Sequence, residues 1–529
     1  MVADAVTHLS YRDSPSRHLY PPPPLGMPPR SHRGHVTRMA PAVICRRRAD
    51  RGHVTRMAPA VICRRRADFG PAGGYLAPSA VGWRPPDDTS GRQPAEGCSD
   101  CDSASLSPAA TMLFSLAMAA VVTLALYRLY AGDVPPRVMF DVYTRPGIFY
   151  YPKVATFWLF LTFRKWKAAR DQRRGAQPGA AAGYGVKSRA SPAEMDCVQP
   201  LAEHPRALDA VLFQGAAGDG SWLVLALARR PRGVSNTICL VTLPGVGTLQ
   251  MERHPDTTVF GDEHSHAGGG FRLTPLEPMR CWRLQFSGKM RLDEKLVDVT
   301  FDLTYRSDLP YFDFDTDMAP LAVARAMALE PWTREFFERL RDAHQTHYEQ
   351  IGTTSGTVTV SGREHRLQVT GMRDHSYARY RDWTLLHRYG LHTLIMEDGT
   401  RAQVGVVSQP YSFSRIELGY LYTPEGRLHA LDWCDLELGY HGEQGTPPAD
   451  YGFSFGAGGR TYHALVKVED VQEVYIGWEW EARILERRCS YRVNGLSAHG
   501  VSEWYYRHHG GRPERYASAD PAWSRDIEK

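Results

Sequence analysis

Asparagine and cysteine are scarce in this chain, and neither forms a functional pattern. The 529 residues contain two asparagines, Asn236 and Asn494, and no Asn-x-Ser/Thr sequon. Of the nine cysteines, Cys98 and Cys101 form a lone CxxC that lacks the second pair of a zinc site. The cysteines in the region expected to fold are Cys197, Cys239, Cys281, Cys434 and Cys489. An odd number at wide spacing favours reduced, mostly buried thiols over a disulfide framework.

Signals for phosphate and nucleic-acid binding are also missing. The glycine-rich stretch 215–220 lacks the Gly-Lys-Ser/Thr ending and the following helix of a phosphate loop. The formal net charge is +5, but much of the excess lies in arginine-rich runs before residue 175, and the downstream region has no basic stripe. We therefore expect no nucleic-acid partner, and no cofactor is indicated.

The first 108 residues predict a disordered leader, because they are rich in proline, arginine, serine and glycine and show no sustained apolar period. The segment Arg33–Asp50 is repeated without change as Arg51–Asp68. Solenoid repeats diverge and need about three copies to bury a core, so two identical copies indicate a recent duplication or a gene-model artefact.

Residues 109–131 predict a transmembrane helix. The run from Ser103 to Tyr127 contains no charged residue, and about 20 mostly apolar residues cross a bilayer. A cleaved signal peptide and a buried core helix are the alternatives. The lack of a clear cleavage site weakens the first, and the lack of a polar face weakens the second. The charges that follow are positive, including Arg128, Arg137 and Arg145, which predicts a single-pass protein of an endomembrane with its C-terminal region in the cytosol.

Residues 132–176 predict a second membrane contact. The apolar run Val154–Phe163 is too short to span and precedes the basic cluster 164–174. Aromatic residues followed by basic ones are typical of a helix in the headgroup region, although a buried helix with a solvated basic end fits the same pattern. Residues 177–204 are then predicted to be a flexible linker.

The remaining sequence predicts a mainly β protein with two lipocalin-like barrels or sandwiches. Short apolar runs separated by turns follow residue 205, and residues 296–304 alternate with the two-residue period of a half-buried strand. A helical pattern at 319–350, interrupted by Pro331, separates two groups of strands. We therefore expect β units at 205–318 and 351–508 joined by a helical connector, and a disordered tail at 509–529.

The stretch GMRDHSYARYRDW at 371–383 has the highest density of functional groups. In a single strand Asp374 and Ser376 would point to one face and His375 to the other, which excludes a local Ser-His-Asp triad. Neither face is apolar, so polar groups must find partners or line a cavity. Two interpretations stay open: Arg381 and Asp382 form structural ion pairs, or a pocket is lined by His375, Tyr377, Arg379 and Trp383.

This run resembles the D-H-S-x-G-x-R-D-W signature of a tandem lipocalin-like superfamily that includes carotenoid hydratases, survival-factor-type proteins and attachment-protein homologues. It is especially similar to animal membrane-anchored proteins of unknown function in which the module can precede phosphoenolpyruvate-utilising phosphotransferase-like domains. Segments 275–288 and 498–507 also resemble family segments, so the likeness covers about 135–508. No phosphotransfer motif follows, and phosphotransfer is not implied.

The resemblance implies roles for individual positions. The histidine of the family pattern falls on His375, its Arg-Asp-Trp on 381–383 and its terminal glutamate on Glu503. Ala378 departs from the pattern, which has glycine there. In hydratase-like relatives an acid protonates a polyene, and the resemblance makes Asp374 or Asp382 the candidate acid, with His375 as a further catalytic candidate. Arg381, Asp382 and Glu503 are the candidate structural polar residues.

One loop has the composition of a metal site. His264 and His266 lie on one side of the extended stretch 261–270, close to Asp262 and Glu263. Two ligands flanked by glycines are more typical of a solvated loop, so no metal site is predicted.

These observations predict a membrane-anchored protein whose β-barrels bind a hydrophobic small molecule, such as a lipid or isoprenoid. The first alternative is an enzyme that hydrates or isomerises a double bond through a buried carboxylic acid. The second is a non-catalytic membrane scaffold with filled barrels. The expected partners are the membrane and the hydrophobic ligand.

Overall fold

The computed structural model describes residues 108–173 and 190–517. The predicted leader up to residue 107, with its tandem repeat, lies outside the described residues. So do the first part of the predicted linker, up to residue 189, and the tail from residue 518.

Two long helices begin the described region. Helix α1, Pro108–Ala131, contains a 20-residue segment, Met112–Ala131, that is long and apolar enough to cross a membrane. Its large apolar side chains, such as Leu113 and Leu124, are exposed. Short elements follow it: β1 Arg137–Val138, α2 Met139–Val142 and β2 Tyr143–Thr144. Helix α3 then spans Tyr150–Arg173. Tyr130, at the end of α1, packs edge-on against Trp332 and so ties α1 to the β region.

The first large sheet has twelve strands. They are β3 Leu208–Ala216, β4 Trp222–Arg229, β5 Val234–Leu243, β6 Gly247–Met251, β7 Thr258–Phe260, β8 Ala267–Gly268, β9 Phe271–Glu277, β10 Cys281–Leu292, β11 Lys295–Arg306, β12 Phe312–Asp313, β13 Thr346–Val360 and β14 Arg363–Ala378. Pairing in the order β11-β13-β14-β3-β4-β5-β6-β10 returns to β11, so the sheet is ring-like. In β11, buried Val299, Phe301 and Leu303 alternate with exposed residues, as the two-residue period predicts.

The expected boundary between the β units is wrong. Strand β13 pairs with β11, and β14 pairs with β3, so the ring-like sheet continues to Ala378 and residue 351 lies inside one of its strands. The stretch 319–350 forms helices α5, Pro320–Ala328, and α6, Arg334–Asp342, before β13 begins. The helices interrupt one sheet instead of connecting two. Periodicity identifies a strand but not its partner, because partners are distant in sequence.

The second β unit is a closed eight-stranded barrel. Its strands are β15 Arg388–Met396, β16 Arg401–Gln409, β17 Phe413–Tyr422, β18 Leu428–Cys434, β19 Asp450–Ala457, β20 Arg460–Ile476, β21 Ala482–Val493 and β22 Leu496–Arg507. Each pairs antiparallel with the next and β22 pairs with β15, the up-and-down arrangement of lipocalins. Buried side chains such as Val404, Phe455 and Trp504 fill its interior. An eight-stranded barrel is just wide enough to be filled in this way.

The ring-like sheet and the barrel pack against each other through their outer faces. Trp222 and Ile238 of the sheet join Ile484 and Tyr505 of the barrel in one hydrophobic cluster. A second cluster contains residues of α5 and α6 with barrel residues such as Tyr420. The region between the two clusters contains the candidate site.

Candidate functional site

A cleft of about 320 Å³ lies between the outer face of the ring-like sheet and the outer face of the barrel. Small residues of the sheet, Ala210, Ala226 and Ala228, leave the space open, and Leu418 and Ile484 face it from the barrel. The sequence analysis predicted that a barrel interior would hold the ligand. This prediction is wrong for the cleft, which lies outside the barrel. The barrel strands bury one row of side chains inside and present the other row to the sheet.

The stretch 371–383 lines the cleft in two ways. Alternate side chains of β14 face it, and so do residues of the crossing, the segment 379–387 that connects β14 with the first strand of the barrel. In β14, Asp374 and Ser376 face the cleft, whereas Arg373 and His375 are fully buried and do not line it. The chain then leaves the sheet for the barrel and brings Arg381 and Trp383 to the cleft wall. The expected division of faces within this stretch therefore holds up to the end of β14.

Arg381 stacks its guanidinium over the ring of Trp383, 4.4 Å from the ring centroid. Its Nη1 atom donates to Oε1 of Gln345 at 3.2 Å, and its backbone N–H donates to the carbonyl of Arg206. Among the described residues Arg381 has no carboxylate within ion-pair distance, in contrast with the predicted structural ion pair. It places a positive charge in the cleft.

Asp382 anchors the crossing. Its Oδ1 accepts from the backbone N–H of Thr384 at 2.8 Å and caps the short 3₁₀ turn Trp383–Leu385, and its Oδ2 pairs with Arg206. Burial raises the pKa of Asp382, but the hydrogen bonds from Thr384 and the charge of Arg206 outweigh burial and leave this pKa lowered. A carboxyl held in its ionised form cannot serve as a proton donor near neutral pH.

A network of polar side chains lies on the sheet side of the cleft. His347 and Glu349 of β13 lie directly opposite Ser376 and Asp374 of β14. His347 Nε2 lies 3.0 Å from Glu349 Oε1, and its Nδ1 lies 3.1 Å from Ser376 Oγ, which donates to Asp374 Oδ1 at 2.8 Å. Burial raises the pKa of Glu349. Burial also lowers the pKa of His347, but the charges of Asp374 and Glu349 outweigh it and leave this pKa raised.

Two carboxyls face each other on the barrel wall. Glu486 of β21 and Glu503 of β22 are register partners, both line the cleft, and they are 1% and 8% exposed. The hydroxyl of Tyr389 donates to Glu503, whereas Oε2 of Glu486 has no hydrogen-bond partner among the described residues. Burial raises the pKa of Glu503 to about 7, and burial together with the charge of Glu503 raises the pKa of Glu486 well above its usual range. The two carboxyls therefore hold a proton between them at neutral pH.

His375 belongs to a different site, inside the ring-like sheet. Its Nε2 lies 2.7 Å from Oδ1 of Asp209, and its Nδ1 lies 2.7 Å from the hydroxyl of Tyr348. Asp196 accepts from that hydroxyl at 3.1 Å and from Arg373 Nη1 at 2.5 Å. Burial lowers the pKa of His375, but the two nearby aspartates, Asp196 and Asp209, outweigh burial and leave this pKa raised.

The predicted pocket roles of His375, Tyr377 and Arg379 are therefore not supported by their positions. Tyr377 packs against His375 away from the cleft lining, and Arg379 is exposed. Asp196 lies in the predicted linker 177–204, yet it is fully buried and organises this network. The physical reason is the alternation of β14, which turns odd-numbered positions into the ring.

The same inner network contains the one group of metal-compatible ligands found in the described residues. Asp209, His266 and His375 each present one atom, and these atoms lie within 4.8 Å of one another. His266 is fully buried, so the predicted solvated loop is wrong for this residue, whereas His264 is exposed as expected. The guanidinium of Arg229 already pairs with Asp209, and a divalent cation would add positive charge beside it.

Several residues that line the cleft were not singled out by the sequence patterns. His347 and Glu349 fell in a stretch interpreted as helix, and Glu486 lies in a strand whose apolar pattern is broken by charges. His347 and Glu349 are two residues apart and so share one face of β13, but burial does not alternate over 348–352 and no local pattern indicated a strand there. No local signal placed Glu486 opposite Glu503, because register is decided by pairing between strands.

Comparisons with known proteins give one family match and distant structural similarities. The model described as "Family of unknown function (DUF8627)" matches residues 118–506. No curated protein matches the chain at a significant level.

Among solved structures, the chain is similar to a protein described as an AttH from Nitrosomonas europaea, with 12% identity and a TM-score of 0.37 over 58% of this chain and 98% of that one. It is similar to kievitone hydratase from Nectria haematococca, with 13% identity and a TM-score of 0.36 over 62% and 97%. It is also similar to CghA with Sch210972, with 12% identity and a TM-score of 0.35 over 61% and 94%. Similarity at this level carries no argument about activity.

Proposed function

This chain belongs to the family of unknown function DUF8627, and we propose that its β region binds a hydrophobic small molecule, such as a lipid or isoprenoid, in the cleft between the ring-like sheet and the barrel. The cleft of about 320 Å³ carries the proposal. Ligand pockets measure roughly 300–1,000 Å³, occur at interfaces between structural units, and combine apolar walls with a few polar groups. The filled barrel interior agrees with the scaffold alternative, but the cleft lies outside the barrel.

The decisive experiment is analysis of molecules that co-purify with the full chain. We expect mass spectrometry of a gentle extract to detect a hydrophobic molecule, and Ala226→Phe to remove it by filling the cleft. Ala226→Ser, which hardly changes the volume, is the matched control and should retain the ligand. An empty extract from the unmodified chain, or equal ligand content in Ala226→Phe, would overturn the proposal.

A second candidate, hydration or isomerisation of a double bond, is favoured by one observation. Glu503 faces the cleft with a pKa raised by burial to about 7, so a protonated carboxyl is available at neutral pH. Glu503 would transfer its proton to one alkene carbon, and the alkene π electrons would form the new C–H bond. Water would then add as hydroxyl, or a neighbouring C–H would lose its proton, and the carboxyl would regain a proton in either case.

Incorporation of deuterium tests this reaction. The co-purified molecule is returned to the full chain in deuterated water, and we expect carbon-bound deuterium to accumulate. Glu503→Gln should abolish incorporation while binding persists, and Asp450→Asn, at an exposed position of the barrel, should have no effect. Lack of incorporation by the unmodified chain would exclude this reaction for that molecule.

We further propose that α1 anchors the chain in a membrane with the β region on the cytosolic side. Two observations support the anchor: the apolar length of α1 and a row of exposed apolar residues on α3, which includes Tyr151, Leu159, Phe163 and Trp166. The positive charges that follow α1 support the cytosolic side. The opposite side of α3 packs against the β region through Leu161. An endomembrane location, and the relation to animal proteins that precede phosphotransferase-like domains, stay predictions from the sequence.

The lack of native sequons makes topology directly measurable. A sequon appended at the C-terminus should remain unglycosylated in cells, whereas one placed before α1 should be modified if α1 crosses the membrane of the endoplasmic reticulum. Glycosylation of the C-terminal tag would reverse the proposed orientation.

A further inference from the structure

The cleft between the sheet and the barrel is lined by more acidic than basic groups. The carboxyls are Asp315, Glu349, Asp374, Asp382, Glu486 and Glu503, and the potentially cationic groups are Arg230, His344, His347 and Arg381. Four of the acids have basic partners within 4 Å. Asp315 contacts His344, and Asp382 contacts Arg206. Glu349 and Asp374 both contact His347. The two acids of the lining without a basic partner, Glu486 and Glu503, therefore both lie on the barrel wall.

Glu486 and Glu503 have no ion-pair partner in the described part of the chain. They face each other across the antiparallel strands β21 and β22, where side chains of register partners lie about 4.5–5.5 Å apart at Cβ. Glu486 is 1% exposed and its Oε2 is unpartnered. A buried carboxyl oxygen without a hydrogen-bond partner is unfavourable, so a ligand that supplies a donor to this atom would be stabilised there.

From this geometry we propose that the cleft recognises a hydrophobic molecule bearing a positively charged amine, which pairs with Glu486 and Glu503 while the apolar part lies between the sheet and the barrel. The inference rests on the proposed function and specifies the chemistry of the ligand. An ammonium group has three donors and a compact charge, which suits two carboxyls in an apolar site.

The aromatic residues beside the acid pair favour the same charge. Tyr505 stacks on Trp383 and on Tyr389, with centroid distances of 5.7 and 5.1 Å, and Tyr389 donates its hydroxyl hydrogen to Glu503. The guanidinium of Arg381 already lies over the face of Trp383 and is itself a cation held by an aromatic ring in this cleft. Aromatic faces attract cations most strongly where water is excluded.

The proposal has a consequence for protons. The acid pair retains a proton at neutral pH because burial and the charges of Asp374 and Glu349 oppose ionisation, whereas the charge of Arg381 favours it. Entry of a cation stabilises both carboxylates, so a proton leaves to solvent as the amine binds. Amine affinity should therefore rise between about pH 6 and pH 8, the range in which Glu503 titrates. His347 lines the same cleft and has a raised pKa, so the contribution of the acid pair must be tested separately.

Three probes of equal chain length separate charge from hydrophobicity: hexylamine, hexanol and hexanoate. Each is titrated by calorimetry into the full chain in lipid nanodiscs, with empty nanodiscs as the blank. We expect hexylamine to bind at least about tenfold more tightly than hexanol at pH 8, as expected for hydrogen bonds to charged groups, and hexanoate to bind most weakly. Hexanol affinity should not change with pH.

Matched variants assign the effect to the acid pair. Glu486→Gln and Glu503→Gln keep the shape, should abolish the preference for the amine and its pH dependence, and should leave hexanol affinity unchanged. Asp450→Asn, at an exposed position of the same barrel, is the control and should preserve both. Calorimetry in buffers of different ionisation enthalpy should register proton release for hexylamine alone.

The outcomes separate the two proposals. Equal affinity for hexylamine and hexanol, or an amine preference that survives both glutamine variants, would overturn the inference and leave hydrophobic binding in place. Absence of binding for all three probes would overturn both, provided that urea unfolding followed by tryptophan fluorescence shows the chain to be folded.

Discussion

Oδ1 of Asp196 lies 2.5 Å from Nη1 of Arg373, although 177 residues separate the two along the chain, and both side chains are fully buried. The same carboxylate accepts from the backbone N–H of Met279 and from the indole of Trp282. The segment before β3 is thereby fastened into the ring-like sheet, where it also supports His375.

Asp196→Ala is expected to destabilise the β region by about 3–5 kcal/mol, because it leaves the guanidinium of Arg373 buried without a counter-charge. Urea unfolding followed by tryptophan fluorescence measures the change. Asp302→Ala removes the partner of Arg283 in an exposed pair on β10 and β11 and should have little effect. A similar small effect for Asp196→Ala would show that the segment is not fastened by this pair.

His375→Ala should lower stability and reduce ligand content only as far as the folded fraction falls, because His375 does not line the cleft. Loss of its hydrogen bonds to Asp209 and Tyr348 should cost about 1–3 kcal/mol. Ligand content per folded molecule, from native mass spectrometry and urea unfolding together, checks this. A fully stable variant without ligand would contradict the placement.

The stability of the β region should fall as pH rises from about 5 to 7. Burial raises the pKa of Glu503 in the folded chain to about 7, so the native state binds more protons than the unfolded state over this window. The loss should be on the order of 3 kcal/mol. Glu503→Gln should make this fall smaller without removing it, because the pKa values of Asp313 and Glu349 are raised by burial as well. Asp450→Asn should leave it unchanged. Below about pH 4 the sign reverses, since Asp196 and Asp209 have lowered pKa values and lose their pairing when protonated.

Arg381→Met should raise the pKa of Glu503, because the guanidinium favours the ionised carboxyl. The infrared band of protonated carboxyl groups, recorded against pH, should shift its midpoint upward by about one unit or less. Arg460→Met, at an exposed position of the barrel, should leave the midpoint unchanged. An unchanged midpoint in Arg381→Met would mean that solvent screens this charge from the acid pair.

Asp382→Asn and Asp374→Asn should have different effects, although both residues line the cleft. Asp382 holds the crossing from sheet to barrel through Thr384 and Arg206, so its loss should cost about 1–3 kcal/mol and speed hydrogen exchange over residues 379–387. Asp374 accepts from Ser376 on the cleft wall, and its replacement should change ligand affinity more than stability. The reverse pattern would exchange their roles.

The sequence by itself determined the class of the fold and much of its local structure. The alternation of β11, the break between α5 and α6 around Pro331, and the apolar length of α1 were readable because each depends on neighbouring residues. The opposite orientations of Asp374 and His375 were readable for the same reason. The signature residues 381–383 all line the cleft, but the contacts of each side chain could not be read from the sequence.

Only the tertiary structure decided where the chemistry lies. The assignment of β13 and β14 to the first sheet, the burial of Asp196, and the pairing of Glu486 with Glu503 depend on contacts between residues far apart in sequence. The cleft forms where the outer faces of the ring-like sheet and the barrel meet. Its lining combines residues from distant segments, so no single segment predicts it. Periodicity shows which side chains share a face of a strand, whereas packing between strands and sheets determines what that face meets.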